Sequence, residues 1–264
     1  MTDLTALERP RRYGCIPDHP DKRDLMFAAP RVALPAKVDL SAILPPVLGQ
    51  GQIGSWTGHG SSEAVRAARI KAGHPDVPLS RPFPYYNGRA YEGTTDQDAG
   101  AMIRDVVKGL VKVGCATEAL WPYSSPLDDK PYPVAYRDGA TRQVLEYRRV
   151  VVSAMALKAA LAAGYPVIIG ISVYASFEGP EEARTGVVPM PVTSGPGAED
   201  MLGGHCMLCW GYDDGARTFA VRNSWGESWG WGGNCHIPYD YLGDPDLVSD
   251  FWTLTEVEAP ATAA

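Results

Sequence analysis

The stretch from Gln50 to Thr57, which reads Gln-Gly-Gln-Ile-Gly-Ser-Trp-Thr, is the feature that most constrains this chain. It lies between a proline-rich lead-in and the first segment with helical periodicity. Small residues begin that segment, and apolar residues then recur at helical spacing as far as Gly73, so the sequence predicts a helix over 57–73. Because a helix lined with small residues can be packed on all sides, we expect it to lie inside the fold.

The composition is that of an ordinary folded chain. Of the 264 residues, 45% are hydrophobic and 21% are charged, which is enough apolar material for one large or two small cores. The net charge of -7 and the pI near 5.2 argue against a nucleic-acid partner or an anionic membrane surface.

The N-terminal stretch from Met1 to Ala29 carries charges throughout and has no apolar core of signal-peptide length. No later stretch approaches the roughly 18 apolar residues of a membrane-spanning helix. We therefore expect a cytoplasmic protein without a membrane partner.

The five cysteines are odd in number and lack the paired spacing of a disulfide framework, which indicates reduced thiols. Cys206 and Cys209 form a Cys-x-x-Cys, but no second ligand pair is near and the surrounding run is typical of a buried strand. The sequence therefore predicts neither a metal site nor a cofactor.

Periodicity divides the chain into four parts. We expect an extended arm over 1–48, of which residues 12–18 pack back onto the body, a mainly helical lobe over 49–140, a mainly β lobe over 141–256 and a frayed tail over 257–264. In the helical lobe, residues 74–100 are predicted to be loop-rich, residues 102–111 to form an amphipathic helix that ends at Gly114, and a proline-rich connector to run to about residue 140.

The β lobe has a different period. A short helix is predicted over 155–163, and a long loop with four prolines over 178–202. The predicted strands are 167–174, 205–212, 218–225, 235–237 and 251–254. Asp213-Asp214-Gly215 is predicted to turn the second of these strands into the third.

Two further motifs accompany the Gln50 stretch. Gly203-Gly204-His205 begins a predicted strand, and Asn223-Ser224-Trp225-Gly226 ends the next one. Taken alone, a histidine at a strand start is more often structural, and an asparagine in such a place more often belongs to a turn. The order and separation of the three motifs indicate that their residues belong to one site.

Over residues 13–254, these three motifs resemble the papain-like cysteine peptidases, in a bacterial, propeptide-less branch whose pattern is Asp-Gln-Gly-Gln-Leu-Gly-Ser-Cys-Thr. The resemblance implies an α+β, papain-like fold. In it, a mainly helical N-terminal lobe with a central helix packs against a β-barrel-like C-terminal lobe, and a cleft lies between them.

The resemblance also implies roles for individual residues. Gln50 corresponds to an oxyanion-hole donor, His205 to the general base, Asn223 to the residue that orients the imidazole, and Trp225 to the ring that shields their hydrogen bond. The family places its nucleophilic cysteine six residues after the glutamine. Here that residue is Trp56, whose indole has no ionisable thiol, so we expect no thiol-peptidase activity.

Neighbouring groups do not replace the missing nucleophile. Ser55 and Thr57 lie about 100° away around the helix axis, so their hydroxyls are not expected to face His205. Cys206 follows His205 on a strand, where successive side chains point to opposite faces, so its thiol is expected to point into the core.

The candidate ligand-binding residues of the cleft are Trp56, His59, Gly100, Gly204 and Trp225, and residues 98–100 and 174–177 fall where the family forms its side-chain pockets. His59 lies one helical turn after Trp56. It is either a second imidazole that pairs with the indole or a ligand, or a histidine packed with one hydrogen bond. The glycines beside it are interpreted as making room for a side chain larger than cysteine.

Three functional hypotheses follow. In the first, the chain has lost peptidase activity and binds a peptide, acyl or small-molecule ligand in the cleft, and a protein partner is also compatible. In the second, His205 and Asn223 perform acid/base chemistry such as cyclisation, proton transfer or hydrolysis on a small metabolite. In the third, an active peptidase or acyl transferase carries an engineered cysteine-to-tryptophan change, although Trp risks overpacking strain of about 1–3 kcal/mol, which favours a native Trp56.

Overall fold

The computed structural model describes residues 15–29 and 33–258, which form an α+β fold of helices packed on one large sheet. The helices of the described residues are α1 (Trp56–Lys71), α2 (Pro82–Glu92), α3 (Ile103–Val113), α4 (Pro133–Gly139), α5 (Ala154–Ala162), α6 (Pro180–Thr185) and α7 (Tyr239–Gly243). The strands are β1 (Cys15–Ile16), β2 (Lys37–Asp39), β3 (Ala101–Met102), β4 (Val144–Val150), β5 (Val167–Tyr174), β6 (Met201–Asp213), β7 (Thr218–Arg222), β8 (Asn234–Pro238) and β9 (Val248–Val257). No helix in this part of the chain is both long and apolar enough to cross a membrane.

Helix α1 is the central element. Every residue from Trp56 to Ala67 is buried, and the helix packs against α2 on one side and against β6 and β9 on the other. Two glycines permit this close approach. A Cβ atom on Gly58 would lie 2.3 Å from the carbonyl oxygen of Arg81, and one on Gly60 would lie 3.2 Å from Cys206 Sγ. The expectation that this helix lies inside the fold is confirmed.

The large sheet has the strand order β4-β9-β5-β6-β7-β8, and β2 adds to β6 outside that path. All of its pairings between named strands are antiparallel, with His205 opposite Ile171 and Leu208 opposite Arg222. Among the described residues no pairing joins β4 to β8, so the expected barrel-like lobe is an open sheet within the papain-like fold.

Other segments cover the two edges of this sheet, which explains why closure is unnecessary. Met26 forms a bridge with Arg149 of β4, and Val187 forms one with His236 of β8. An edge strand covered in this way has few unpaired backbone groups left to attract another chain.

Three helices occupy segments for which the sequence predicted loops. Pro82, Pro133 and Pro180 are the first residues of α2, α4 and α6. Proline is favoured at a first helical position because the amide hydrogen that it lacks has no partner inside the helix there. The loop interpretation of 74–100, of the connector before residue 140 and of 178–202 was therefore wrong over these spans.

The other predicted elements lie within a few residues of their expected bounds. The helices predicted over 57–73, 102–111 and 155–163 are α1, α3 and α5, and the strands predicted in the second half are β5 to β9. Gly114 ends α3 with a positive φ of 71°, as its place after the last apolar residue indicated.

Residues 15–29 contact both lobes. Strand β1 pairs in parallel with β3, and the carboxylate of Asp18 accepts hydrogen bonds from the backbone of Arg104 at 3.1 Å and from the indole of Trp252 at 2.8 Å. Asp24 forms ion pairs with Arg104 at 2.7 Å and with Arg149 at 3.0 Å. Residues 12–14 of the predicted contact segment, and the tail beyond residue 258, lie outside the described residues.

The close contact at Gly58 leads to a stability prediction. Gly58→Ala should lower the free energy of unfolding by about 2 kcal/mol, because overpacking against the Arg81 carbonyl outweighs the helix propensity gained. Gly109→Ala is the matched control, since its Cβ would lie 3.4 Å from the Cβ of Asn87, an ordinary contact. Urea unfolding of both variants tests this, and equal stability changes would contradict it.

Candidate functional site

The turn before α1 is fixed to the β lobe by Gln50. Its backbone amide donates to the carbonyl of Ser224 at 2.8 Å, and its side-chain oxygen accepts from the Ser224 hydroxyl at 2.5 Å. Its side-chain nitrogen donates to the carbonyl of Ile53 at 3.1 Å. Gln50 therefore connects the two lobes while one of its amide hydrogens closes its own turn.

Trp56 is the first residue of α1, and its indole packs against His205 on β6. The two ring centres are 5.7 Å apart and the ring planes are perpendicular. Trp56 is 1% exposed and His205 is 0% exposed, so the contact is dry. The indole also lies close to the backbone of Gly54, where an added Cβ atom would be 3.3 Å from the Trp56 ring.

His205 and Asn223 are brought together by the pairing of β6 with β7. Leu208 lies opposite Arg222, the last residue of β7, so Asn223 emerges beside the start of β6. His205 Nε2 donates to Asn223 Oδ1 at 2.8 Å, and the same oxygen accepts from the Ser224 amide at 2.8 Å. With its proton on Nε2, the neutral imidazole carries its lone pair on Nδ1.

An aromatic cluster covers the His205 ring. Trp225 stacks on it, with ring centres 5.2 Å apart and planes 21° from parallel. Phe177 and Trp229 pack edge-on against Trp225 with centroid distances of 5.6 Å and 4.9 Å. The cluster holds the imidazole plane in place and keeps water from its bond to Asn223.

A second set of contacts fixes the loop between Gln50 and Trp56. The Tyr123 hydroxyl donates to the Gln50 carbonyl at 2.5 Å and lies 3.0 Å from Ser55 Oγ. The carboxylate of Asp98 accepts from the Gly54 amide at 3.0 Å and from the Tyr85 hydroxyl at 2.7 Å. Ser55 is engaged by Tyr123, which agrees with the expectation that its hydroxyl does not face His205.

The sequence-based predictions include residue 98 only as part of a side-chain pocket segment, and they do not include Tyr123. The available signal was their position. Tyr123 follows Trp121-Pro122, and Asp98 comes two residues before Gly100, which has a positive φ of 81°. Neither pattern by itself states which loop the side chain holds.

His59 is buried beside this loop. Its ring packs edge-on against Tyr123, with ring centres 5.3 Å apart, and neither ring nitrogen has a hydrogen-bond partner among the described residues. Burial, with help from the positive charge of Arg81, holds the pKa of His59 well below its usual value, so the ring is neutral. The expectation of one hydrogen bond was therefore wrong.

The glycines on either side of His59 are needed for contacts other than the predicted one. Gly58 accommodates the backbone of Arg81, and Gly60 accommodates Cys206 and the backbone of Met207. The residue that borders the indole is Gly54. The interpretation that Gly58 and Gly60 make room for a larger side chain at position 56 is thus corrected.

One turn further along α1, Glu63 is also buried, and the sequence had not singled it out. Loss of solvation raises the pKa of its carboxyl from 4.5 to about 7, although Arg222, Arg66 and Arg81 act in the opposite direction. One of its carboxylate oxygens has no hydrogen-bond partner among the described residues. Beside the site, α1 therefore presents two buried ionisable groups, His59 and Glu63.

The predicted ligand-binding glycines occupy different surroundings. Gly100 is buried, and its amide donates to the Tyr85 hydroxyl at 3.0 Å beside Asp98. A Cβ atom on Gly204 would lie 2.2 Å from the carbonyl oxygen of Cys15, so the lack of a side chain there accommodates the arm. Cys206 is buried in the core and its pKa is raised by burial, as predicted for a residue that faces away from His205.

The five cysteines are buried free thiols. Within residues 15–29 and 33–258, no group of three or more His, Cys, Asp or Glu side chains is arranged to hold a metal ion. The site itself brings together an imidazole oriented by Asn223, an aromatic wall and the helix N-terminus at Trp56.

A two-lobed α+β fold with a histidine, an asparagine and a glutamine gathered at the N-terminus of a central helix defines the class of papain-like proteins. The chain belongs to the papain family of cysteine proteases, whose family model matches residues 34–242. It is similar to xylellain, a cysteine protease from Xylella fastidiosa, with 38% identity and a TM-score of 0.87. That match covers 95% of this chain and 99% of xylellain.

Two other relatives extend the comparison. An uncharacterized peptidase C1-like protein of Acanthamoeba polyphaga mimivirus is 34% identical over 280 residues, covering 95% of this chain and 88% of that protein. Digestive procathepsin L2 proteinase from Tenebrio molitor larval midgut is 18% identical with a TM-score of 0.72, covering 94% of this chain and 79% of that one. At this identity the match to the procathepsin shows the fold alone.

The raised pKa of Glu63 leads to a pH prediction. A carboxyl whose pKa is higher in the folded than in the unfolded chain loses stabilisation as the pH rises from about 4.5 to about 7. Glu63→Gln should therefore raise the free energy of unfolding by up to about 3 kcal/mol at pH 8, and by less than about 1 kcal/mol at pH 5.

Urea unfolding at both pH values measures this difference. Glu181→Gln is the control, because Glu181 is exposed and pairs with Arg184 at the surface. Its effect should stay within about 0.5 kcal/mol at either pH. A Glu63 variant that is equally stabilised at both pH values would show that this carboxyl is ionised in the folded protein.

Proposed function

We propose that this chain is a papain-family protein without thiol-peptidase activity that binds a peptide or acyl ligand in the cleft between its lobes. The observation that carries the proposal is the buried, perpendicular contact between Trp56 and His205. The position that the family gives to its nucleophile is then filled by an indole, whose N–H is far too weakly acidic for the imidazole to deprotonate and which has no thiolate to attack a carbonyl.

Retention of the surrounding frame supports binding. The Gln50–Ser224, His205–Asn223 and Gly54–Asp98 contacts hold both sides of the site in place. Asp98 accepts a hydrogen bond from the Gly54 amide, and Phe177 packs against Trp225. Both segments that the family uses for side-chain pockets therefore adjoin the site. A frame held by these contacts is suited to binding because little order has to be gained when a ligand enters.

The second candidate, acid/base chemistry centred on His205, has one observation in its favour. The imidazole is oriented by Asn223, whose side-chain oxygen accepts a hydrogen bond from Nε2 at 2.8 Å. Against it, His205 is fully buried under Trp56 and Trp225, whereas a general base has to reach the proton that it removes. Turnover that is lost in His205→Ala and is indifferent to thiol reagents would favour this candidate.

The third candidate is an active enzyme blocked by an engineered tryptophan. The indole lies in a buried apolar cluster with Ala64, Val65 and Cys206, and it borders Gly54. A ring accommodated in this way favours a native residue, since an inserted ring in a site shaped for cysteine would be overpacked. The codon at position 56 in the native gene decides between the two.

Restoring the thiol tests whether Trp56 alone silences the site. Trp56→Cys should label with a thiol-directed epoxide at residue 56 and cleave peptides, because a helix N-terminus and a paired imidazole lower a thiol pKa. The unmodified chain should do neither. Mass spectrometry of the labelled protein and a mixed peptide library provide the two measurements.

The control is the double variant Trp56→Cys/His205→Ala, in which cleavage should fall by about 100-fold or more because the general base is missing. Peptide cleavage by the unmodified chain that depends on His205 would overturn the proposal. A folded but inert Trp56→Cys would show instead that the site has been remodelled beyond residue 56.

Binding without turnover is tested separately with the unmodified chain. A photo-reactive peptide library should cross-link mainly within residues 98–100 and 174–177, and the recovered peptides should be intact. Mass spectrometry locates the cross-links. Cross-links spread evenly over the surface, or shortened peptides, would contradict a binding cleft.

A further inference from the structure

A second concave site lies on the helical lobe. It is formed by α2, α3 and the segment around α4, and its volume is about 490 Å³. Its lining includes Tyr86, Ala90 and Tyr91 of α2, Lys112 of α3, and Lys130 and Tyr136 from the third segment. That volume is within the range of small-molecule pockets, about 300–1,000 Å³. We call it the tyrosine-lysine groove.

The charge of this groove is opposite to that of the chain. Lys112 and Lys130 line it and no Asp or Glu does, whereas the whole chain has a net charge of -7. The lysines that form ion pairs among the described residues are Lys37, Lys108 and Lys158. Lys112 and Lys130 therefore have no carboxylate partner in the described part of the chain, which makes the groove a local cationic site.

The walls of the groove are aromatic and carry hydroxyl groups. Tyr91 is 46% exposed, and its ring centre lies 5.7 Å from the Lys112 ammonium. The Tyr136 hydroxyl donates to Asn87 at 3.0 Å, and burial raises the pKa of Tyr136 to about 12, so the phenol is neutral at ordinary pH. Flat apolar rings beside two ammonium groups match a flat ligand with an anionic end.

We propose that the tyrosine-lysine groove binds a small aromatic acid, that is, a single ring with a carboxylate or phosphate group. The ring lies against Tyr86, Tyr91 and Ala90, and the anionic group is held by Lys112 and Lys130. A neutral ring would use only the walls, and a cation would be repelled. The groove shares no lining residue with the site around His205, so this inference does not depend on the proposed function.

Calorimetric titration of the full chain with three probes tests the ligand class. Benzoate and phenyl phosphate should bind with a dissociation constant of about 1 mM or lower, as expected for small ligands of good efficiency. Benzamide, which has the same ring without the charge, should bind about five-fold more weakly. Raising the salt concentration should weaken the two anions because exposed charges are screened.

Variants locate the binding site. Lys112→Met/Lys130→Met should weaken benzoate about five- to ten-fold, since two exposed charges are removed. Lys108→Met is the matched control, because Lys108 lies on the same helix, pairs with Asp105 and does not line the groove. Ala90→Trp should abolish binding, since Ala90 is exposed and a large ring there fills the groove.

Three results would overturn the proposal. Benzamide could bind as tightly as benzoate, Lys108→Met could weaken benzoate as much as the double variant does, or neither anion could bind at about 20 mM, far above the expected dissociation constant.

Unchanged thermal unfolding of Ala90→Trp would establish that loss of binding in that variant comes from the filled groove.

Discussion

The burial of helix α1 is the constraint on which the rest of this structure depends. The helix can lie between α2 and β6 only because Gly58 and Gly60 let the backbone of Arg81 and the side chain of Cys206 approach it closely. With α1 held there, the side chain of its first residue lies at the boundary between the lobes. Whatever residue stands at position 56 is thus brought against His205, and in this chain the residue is a tryptophan that joins the core.

That placement gives Trp56 two effects that cannot be separated. Its ring shares a buried cluster with Leu208 of β6 and Trp252 of β9, so it contributes apolar contact area between the elements that surround α1. The same ring covers the imidazole that a peptidase would expose to its substrate. Apolar contact and cover over His205 therefore arise from one side chain, and a smaller residue there would uncover the imidazole at the cost of a cavity.

The hydrogen bond between His205 and Asn223 has a structural reason as well as a chemical one. A buried imidazole left without a partner costs about 1–3 kcal/mol, and Asn223 supplies that partner while its oxygen also accepts from the Ser224 amide. The presence of this pair is thus no measure of turnover. The residue that packs over the imidazole is Trp56, at a ring-centre distance of 5.7 Å.

The sequence allowed the family and most of the elements to be predicted, because three separated motifs and two clear periodicities are local features. Predictions from the sequence were wrong where one residue type is compatible with two local structures. Pro82, Pro133 and Pro180 are compatible with a loop and with a first helical turn, and only packing decides between them. The reasons for Gly58 and Gly60, and the failure of the sheet to close into a barrel, depend on contacts between distant segments and have no local signature.

The polar side of α1 shows where this protein departs from an ordinary core. Among the described residues, neither ring nitrogen of His59 has a hydrogen-bond partner, and one carboxylate oxygen of Glu63 lacks one. Burial also raises the pKa of Glu63, so both side chains oppose the stability of the helix that carries them. They lie within two turns of Trp56, on a helix whose remaining first-turn contacts are well packed. Local conflicts of this kind are expected at functional sites more than elsewhere, because selection for stability alone would replace such groups with apolar residues of similar size. His59 and Glu63 are therefore the buried groups of α1 whose presence stability alone does not explain.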